Sequence, residues 1–304
     1  MRASQTLRHL VGPLELIHEQ AGPRLLGLTR LGVILLWIFK LSLDPLWRLT
    51  EMPREMFQPI GLLLLLPDGA LTALLTTNGL VFLWTLTLAS LAFCLANRAF
   101  PLAATVAAIL VTVYSCLIRS FGPAVHTDIV LILALYVLAG FAWADTLSTG
   151  PNGKKSLPAG SWSSFPLVTI VALLCLSYML VGMNRTMAGG LRVFTGDTME
   201  YWAIDASLRG YYFNTEIGWH IPEWPLALFM LRSGLPIITL FEMAAPLCLV
   251  CPHFRWVFIP VMLSFHLLSL VFMNIFFFDD MLLYLLLIDW SRWSPAMRRS
   301  EVAS

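Results

Sequence analysis

Long apolar blocks alternate with short polar breaks along this chain, and the block length sets the fold. Residues 78–96 (NGLVFLWTLTLASLAFCLA) and 254–277 are nearly free of charge. A helix of about 20 such residues crosses the roughly 30 Å hydrocarbon layer of a bilayer. The alternation that barrel strands need is absent. The pattern predicts an all-α, polytopic transmembrane helical bundle with eight spans, near 25–44, 78–97, 102–119, 127–145, 166–185, 226–250, 254–277 and 280–291. The last is short and ends at Trp290 and Trp293, so a count of seven stays open.

Three breaks are long. Residues 45–77 carry Pro45, Pro53, Pro59 and Pro67; 146–165 form a Gly/Ser/Pro linker with Lys154 and Lys155; 186–225 are rich in Trp, Tyr and Phe. The expected organisation is a cytoplasmic segment 1–24, a membrane domain 25–291 and a tail 292–304. The N-terminus lacks the apolar core of a cleavable signal, so the first span is expected to act as its own insertion signal.

Composition agrees: 58% of the residues are hydrophobic and 12% charged, about half the charge of a soluble domain. A net charge of +1 gives no support for a nucleic-acid partner. With an even number of spans both termini share a side. Placing them in the cytoplasm gathers Arg24, Arg98, Lys154, Lys155, Arg255 and Arg292 there, as the positive-inside rule asks. Residues 186–225 then form an extracytoplasmic segment, and Arg185 ends span five on the outer side.

Charge inside a bilayer is expensive, so ionisable groups there are functional candidates. Glu242 and His266 fall in the middle of spans six and seven, at depths that would allow a Glu–His pair. That pair would either share a proton or lock two helices together. His126 and Asp128 open span four, and Asn184 and Arg185 close span five. His126 serves as a proton carrier or as a helix cap; Arg185 faces a cavity or snorkels to the headgroups. "MEYWAIDASLRGYYF" has the spacing of an interfacial helix; its aromatics form a belt, or a lid over an apolar molecule. Cys248 and Cys251 form a CxxC without a second pair and read as structural. No helix carries close metal-ligand spacing, so no metal is expected. Asp279–Asp280 reads as a hydrophilic turn.

These residues also carry a resemblance. "GLTRLGVILLWIFKL", "PREMFQPIG", "HTDIVLILALYVLAGFAWAD", "YMLVGMNRTMAGG", "PIITLFEMAAPLCLV" and "RWVFIPVMLSFHLLSLVFMNIFFFDD", in that order over about residues 24–291, resemble the HTTM group, bacterial relatives of vitamin K-dependent gamma-carboxylase. The resemblance implies a multi-pass protein of the bacterial plasma membrane and a reduced, vitamin K-like quinone as cofactor. In the carboxylase a lysine deprotonates the quinol; its position here holds Arg185, which stays protonated and is a poor base. His126 matches the family's outer histidine and is the alternative proton acceptor. The carboxylase's large lumenal domain has no counterpart before the chain ends, so peptide carboxylation is not expected.

The resulting expectation is an outward-facing cavity for an apolar quinol- or lipid-like ligand. His126 and His266 would handle protons, Glu242 would orient His266, Arg185 would hold an anionic group, and Tyr178, Asn184 and Trp202 would contact the ligand. The rivals are a non-enzymatic membrane scaffold for a membrane or secreted partner protein, and a small proton-coupled carrier using Glu242 and His266.

Overall fold

In the computed structural model the described residues are 25–121, 128–148, 164–190, 192, 198–209, 217–273, 275 and 277–288. They form an all-α bundle. Seven helices or helical segments are long and apolar enough to cross a membrane: Leu25–Glu51, Thr77–Leu95, Phe100–Arg119, Ile129–Thr146, Phe165–Gly189, Pro225–Ala244 and Pro252–Met273. These match the first seven expected spans. The eighth expected span is instead a helix at Phe278–Leu283 followed by 3-10 turns at Tyr284–Leu287. Ten residues of helix reach only about 15 Å, half of the apolar layer.

The chain divides into two units, Gly22–Ile170 and Val171–Ser304. In the first, α1 (25–43) leads through short turns to α2 (Asp68–Leu74), α3 (Thr77–Leu95), α4 (Phe100–Arg119) and α5 (Ile129–Ser148). The prolines of the 45–77 segment explain its turns. Pro45, Pro53 and Pro67 each stand immediately before a helical turn, where a missing N–H costs nothing. Thr76 starts α3 by accepting the Gly79 N–H at 3.1 Å, an N-cap bond. Polar groups on apolar helices then find partners across the unit. Trp84 Nε1 donates to the Leu41 carbonyl at 2.9 Å and Tyr114 Oη to the Asp44 carbonyl at 2.9 Å. Trp143 Nε1 donates to Thr105 Oγ1 at 3.0 Å.

The second unit holds most of α6 (Ser164–Gly189), then α7 (Thr198–Arg209), 3-10 turns at Ile217–Glu223, α8 (Pro225–Ala244), α9 (Leu247–Val250), α10 (Pro252–Met273) and α11 (Phe278–Leu283). The helix expected over 226–250 is broken at Ala245–Pro246, which keep helical dihedrals, and resumes over Leu247–Val250. Pro246 has no N–H to give the Glu242 carbonyl and would crowd it; the Ala245 N–H takes that carbonyl at 3.2 Å instead. Pro252 opens α10, so α8 and α10 form a tight hairpin, with Phe241 stacked on Phe254 near the turn. Met199, Ala203 and Ala206 of α7 pack with Ile221, Leu231, Leu235 and Met273, on the half of the hairpin away from its turn. Gly218 allows this approach, because a Cβ there would meet the carbonyls of Ala203 and Phe272.

The outward faces of the helices are apolar: Leu226 is 72% exposed, Phe229 67% and Leu240 57%. A contiguous surface of this kind belongs against lipid. The protein is a multi-pass membrane protein.

Candidate functional site

On α6, buried positions recur at Val171, Leu174, Cys175, Tyr178 and Gly182, one helical stripe that continues to Arg185. On α8 the stripe is Leu231, Leu235, Ile238, Thr239 and Glu242; on α10 it is Arg255, Phe258, Met262, His266, Ser269 and Met273. The polar residues of the second unit converge because each lies on the inward stripe of its helix.

The first cluster joins α6 to α8. A Cβ at Gly182 would lie 2.9 Å from Met243 Cγ and 3.0 Å from the Thr239 carbonyl, so only glycine permits this approach. One turn on, Arg185 Nη1 donates to Glu242 Oε2 at 2.6 Å and to Thr239 Oγ1 at 3.1 Å, while Nη2 reaches Glu242 Oε1 at 3.3 Å. Thr239 passes its own proton to the Leu235 carbonyl at 2.8 Å. The side chain of Glu242 is 3% exposed and that of Arg185 16%. A forked, charge-assisted contact of this kind is the strong form of an ion pair.

The second cluster joins α6 and α10 to the chain after α11. His266 Nε2 lies 2.9 Å from Tyr178 Oη and 2.7 Å from Tyr284 Oη, and the two tyrosine hydroxyls bond each other. Tyr284 stacks on the imidazole, Phe277 packs on it at 4.7 Å between centroids, and Phe258 stands edge-on to both tyrosines. Burial, then the charge of Asp280, pushes the Tyr284 hydroxyl well above the usual phenol range. It therefore stays protonated and acts as a hydrogen-bond donor. With Nε2 engaged, His266 Nδ1 is buried without a hydrogen-bond partner among the described residues.

Next to this cluster runs a groove of about 440 Å³ between α8 and α10. Small residues open it: Gly234, where a Cβ would meet nothing within 4 Å, and Ser233, Pro260 and Ser264. Its walls are otherwise apolar. Ser269, one turn beyond His266 on the same stripe, lines it, and its buried Oγ has no hydrogen-bond partner among the described residues. Buried polar atoms are normally paired, so the unpaired Ser269 Oγ singles out this wall of the groove; His266, one turn away, is not among the residues that line it.

The sequence expectations fare unevenly. Arg185, Glu242, His266 and Tyr178 do come together in one unit, but in different pairs. Glu242 bonds Arg185 rather than His266. Along α6 the two clusters are seven residues apart, about 10 Å: Arg185 takes the Glu242 carboxylate, while Tyr178 and Tyr284 take His266 Nε2. Asn184 is exposed, and Trp202 is 45% exposed on the outer face of α7. Asp128 pairs with Arg119. His126 lies outside the described residues. Arg255, counted above among the cytoplasmic charges, is buried: its Nε donates to the Cys248 carbonyl at 2.5 Å, capping the hairpin turn. Asp279 and Asp280 are buried in the first turn of α11, not in a hydrophilic turn. Cys248 is buried, with its thiol pushed up by a hydrogen bond with Cys175 and by burial, which suits a structural thiol. Tyr284, Asp280 and Thr239 were missed; Tyr284 had one signal, a lone hydroxyl in the apolar run MLLYLLL. No group of three metal-ligating side chains occurs among the described residues.

Comparison with family models, with curated proteins and with solved structures finds no match to this chain. The fold and site therefore define a class alone: a polytopic helical membrane protein with a buried Arg–Glu pair and a buried Tyr–His–Tyr cluster.

The close approach at Gly182 gives a direct expectation. Gly182→Val should push α6 from α8, costing about 1–3 kcal/mol as overpacking does. A lowered thermal midpoint in detergent would show it; an unchanged midpoint would mean that α8 can move aside freely.

Proposed function

We propose that this protein binds an apolar, quinol- or lipid-like molecule, with its chain in the α8–α10 groove and its polar head at Ser269 Oγ, one turn from His266. One observation carries the reading: the buried, unpartnered Ser269 Oγ on the wall of a largely apolar groove, one turn from the buried, unpartnered His266 Nδ1 behind that wall. Sites for small molecules have this make-up, a volume of roughly 300–1,000 Å³ and a few placed polar groups. A quinol fits the groove's polar groups, because its hydroxyls can both give and accept hydrogen bonds, as the hydroxyls of Ser233, Ser264 and Ser269 can.

His266 is then the proton-handling group nearest the head, and Tyr178 and Tyr284 fix its ring. Arg185 has a different part from the one the HTTM resemblance implies. The anion it holds is the Glu242 carboxylate, so it joins α6 to α8 rather than gripping a ligand. Divergent quinol chemistry of an HTTM-like protein remains the activity this reading favours, at the plasma membrane of a bacterium. The scaffold alternative draws support from the same Arg185–Glu242 pair, which a purely structural bundle would also use.

Gly234→Phe separates the two. A Cβ at Gly234 meets nothing within 4 Å, so a side chain there can enter the groove, and fold and thermal midpoint should persist. Protein purified gently from membranes and analysed by native mass spectrometry should carry an apolar small molecule, and Gly234→Phe should lose it. Equal retention by both forms would remove the groove as the binding site.

A further inference from the structure

The groove between α8 and α10 has one open edge. On α8, Met230 and Ile237 stand on that edge, 53% and 51% exposed, while Leu231 and Ile238 beside them are buried. On α10, Leu268 is 50% exposed and its neighbour Ser269 is buried. Successive residues of a helix point about 100° apart, so each helix gives the groove both a floor and a rim. The rims are apolar and continue the outward faces that belong against lipid. Depth agrees. The α8 wall runs from Met230 to Ile238, five residues inside Pro225 and six before Ala244, about 8 and 9 Å from those ends. The mouth therefore faces acyl chains rather than water.

We infer that the groove takes its ligand sideways from the bilayer, and that this ligand is an uncharged, single-chain amphiphile, a long-chain alcohol or quinol rather than a phospholipid. The inference rests on the reading of the groove as a binding site and adds to it a route, an orientation and a chemical class. Ser269 sets the orientation. It lies four residues from Met273, the last residue of α10, about 6 Å, at the end of the groove where Met199 of α7 packs with Met273 and Leu231. The hydroxyl head then points toward α7, and the chain runs past Gly234 toward Ile237 and Val261. Size limits the chain to one. A groove of about 440 Å³ is about three times the cavity that holds one benzene, too little for a lipid with two chains.

Charge sets the class. None of the described residues that line the groove is charged, and their side-chain oxygens are the hydroxyls of Ser233, Ser264 and Ser269. Ser233 already donates to the Phe229 carbonyl at 2.7 Å. The charges next along the chain, Glu200 beside Met199 and Arg232 beside Leu231, bond each other at 2.7 Å. A phosphate or an ammonium in the groove would lose its water without gaining a counter-charge, which is the costly way to bury an ion. A hydroxyl loses less water. It also gives the buried Ser269 Oγ the partner that the described residues do not supply.

Photolabelling of the full-length protein in nanodiscs tests orientation and class. The probes are a long-chain fatty alcohol with a diazirine at its tail, the same alcohol with the diazirine beside its hydroxyl, and the phosphate ester of the first. Mass spectrometry maps the labelled residues. The tail diazirine should mark Ile237, Val261 or their neighbours, and the head diazirine Met273 or Met199. The phosphate ester should mark the groove at least about tenfold less. Excess unlabelled alcohol should suppress both alcohol signals in the wild type, and Gly234→Phe should do the same. Equal labelling by the phosphate ester, or head and tail labels in the reverse order, would overturn the inference and leave the groove a binding site. Labels that neither the competitor nor Gly234→Phe reduces would instead remove the site, and the inference with it. The route has its own readout: a spin label at Met230→Cys or Leu268→Cys, with the unaltered protein as blank, should collide with oxygen dissolved in lipid more than with a water-soluble nickel chelate. The opposite preference would overturn entry from the bilayer.

Discussion

Arg185→Met alone should destabilise the protein by about 3–5 kcal/mol, the usual result of leaving a buried charge without its partner. The orphan is Glu242, whose side chain is 3% exposed and whose carboxylate Arg185 grips with both terminal nitrogens. Glu242→Leu should cost a similar amount, because the guanidinium then faces an apolar wall. The double variant Arg185→Met/Glu242→Leu should recover most of the loss, since apolar replacement of a whole buried pair is often neutral or stabilising. Urea unfolding in micelles of the wild type, both single variants and the double variant closes the cycle. Additive losses would mean that the two residues are not coupled.

His266→Ala should have the second largest effect, about 3–5 kcal/mol by analogy with aromatic-to-alanine truncation in cores. It removes a ring packed by Tyr284, Phe277 and Phe265 and withdraws the nitrogen that both tyrosine hydroxyls share. His266→Phe keeps the packing and loses only that nitrogen, so its cost should fall to about 1–3 kcal/mol for the hydroxyls left with each other. The two variants separate packing from hydrogen bonding by their unfolding midpoints. Equal losses would mean that the nitrogen contributes nothing.

How much of this was legible in the sequence follows from what each signal depends on. Span positions were readable because apolar length against the bilayer is a one-dimensional measure, and seven blocks met it. Helix ends were readable only where proline chemistry was weighed. Pro246 breaks the helix inside the apolar block, and the mid-span positions of Glu242 and His266 suggested a pairing that Arg185 and the two tyrosines take up instead. Rotation about the helix axis was the harder problem. A helix apolar all round carries little record of which side faces its neighbours, so Tyr178, Gly182 and Arg185 had to mark the inner stripe of α6 by themselves. Tyr284 and Asp280 escaped because their segment read as a membrane span and a polar turn.

The central claim is that the groove beside His266 holds an apolar molecule with a quinol-like head. The most direct measurement is a titration of the protein in nanodiscs with a short-chain naphthoquinol, under anaerobic conditions for binding and then with oxygen for turnover. Wild type is compared with Gly234→Phe and with His266→Phe. Saturable binding that weakens by at least about tenfold in both variants, or about 1.4 kcal/mol, with folding retained, is the predicted result. Binding that is absent, or indifferent to both substitutions, would contradict the account and leave the bundle as a scaffold.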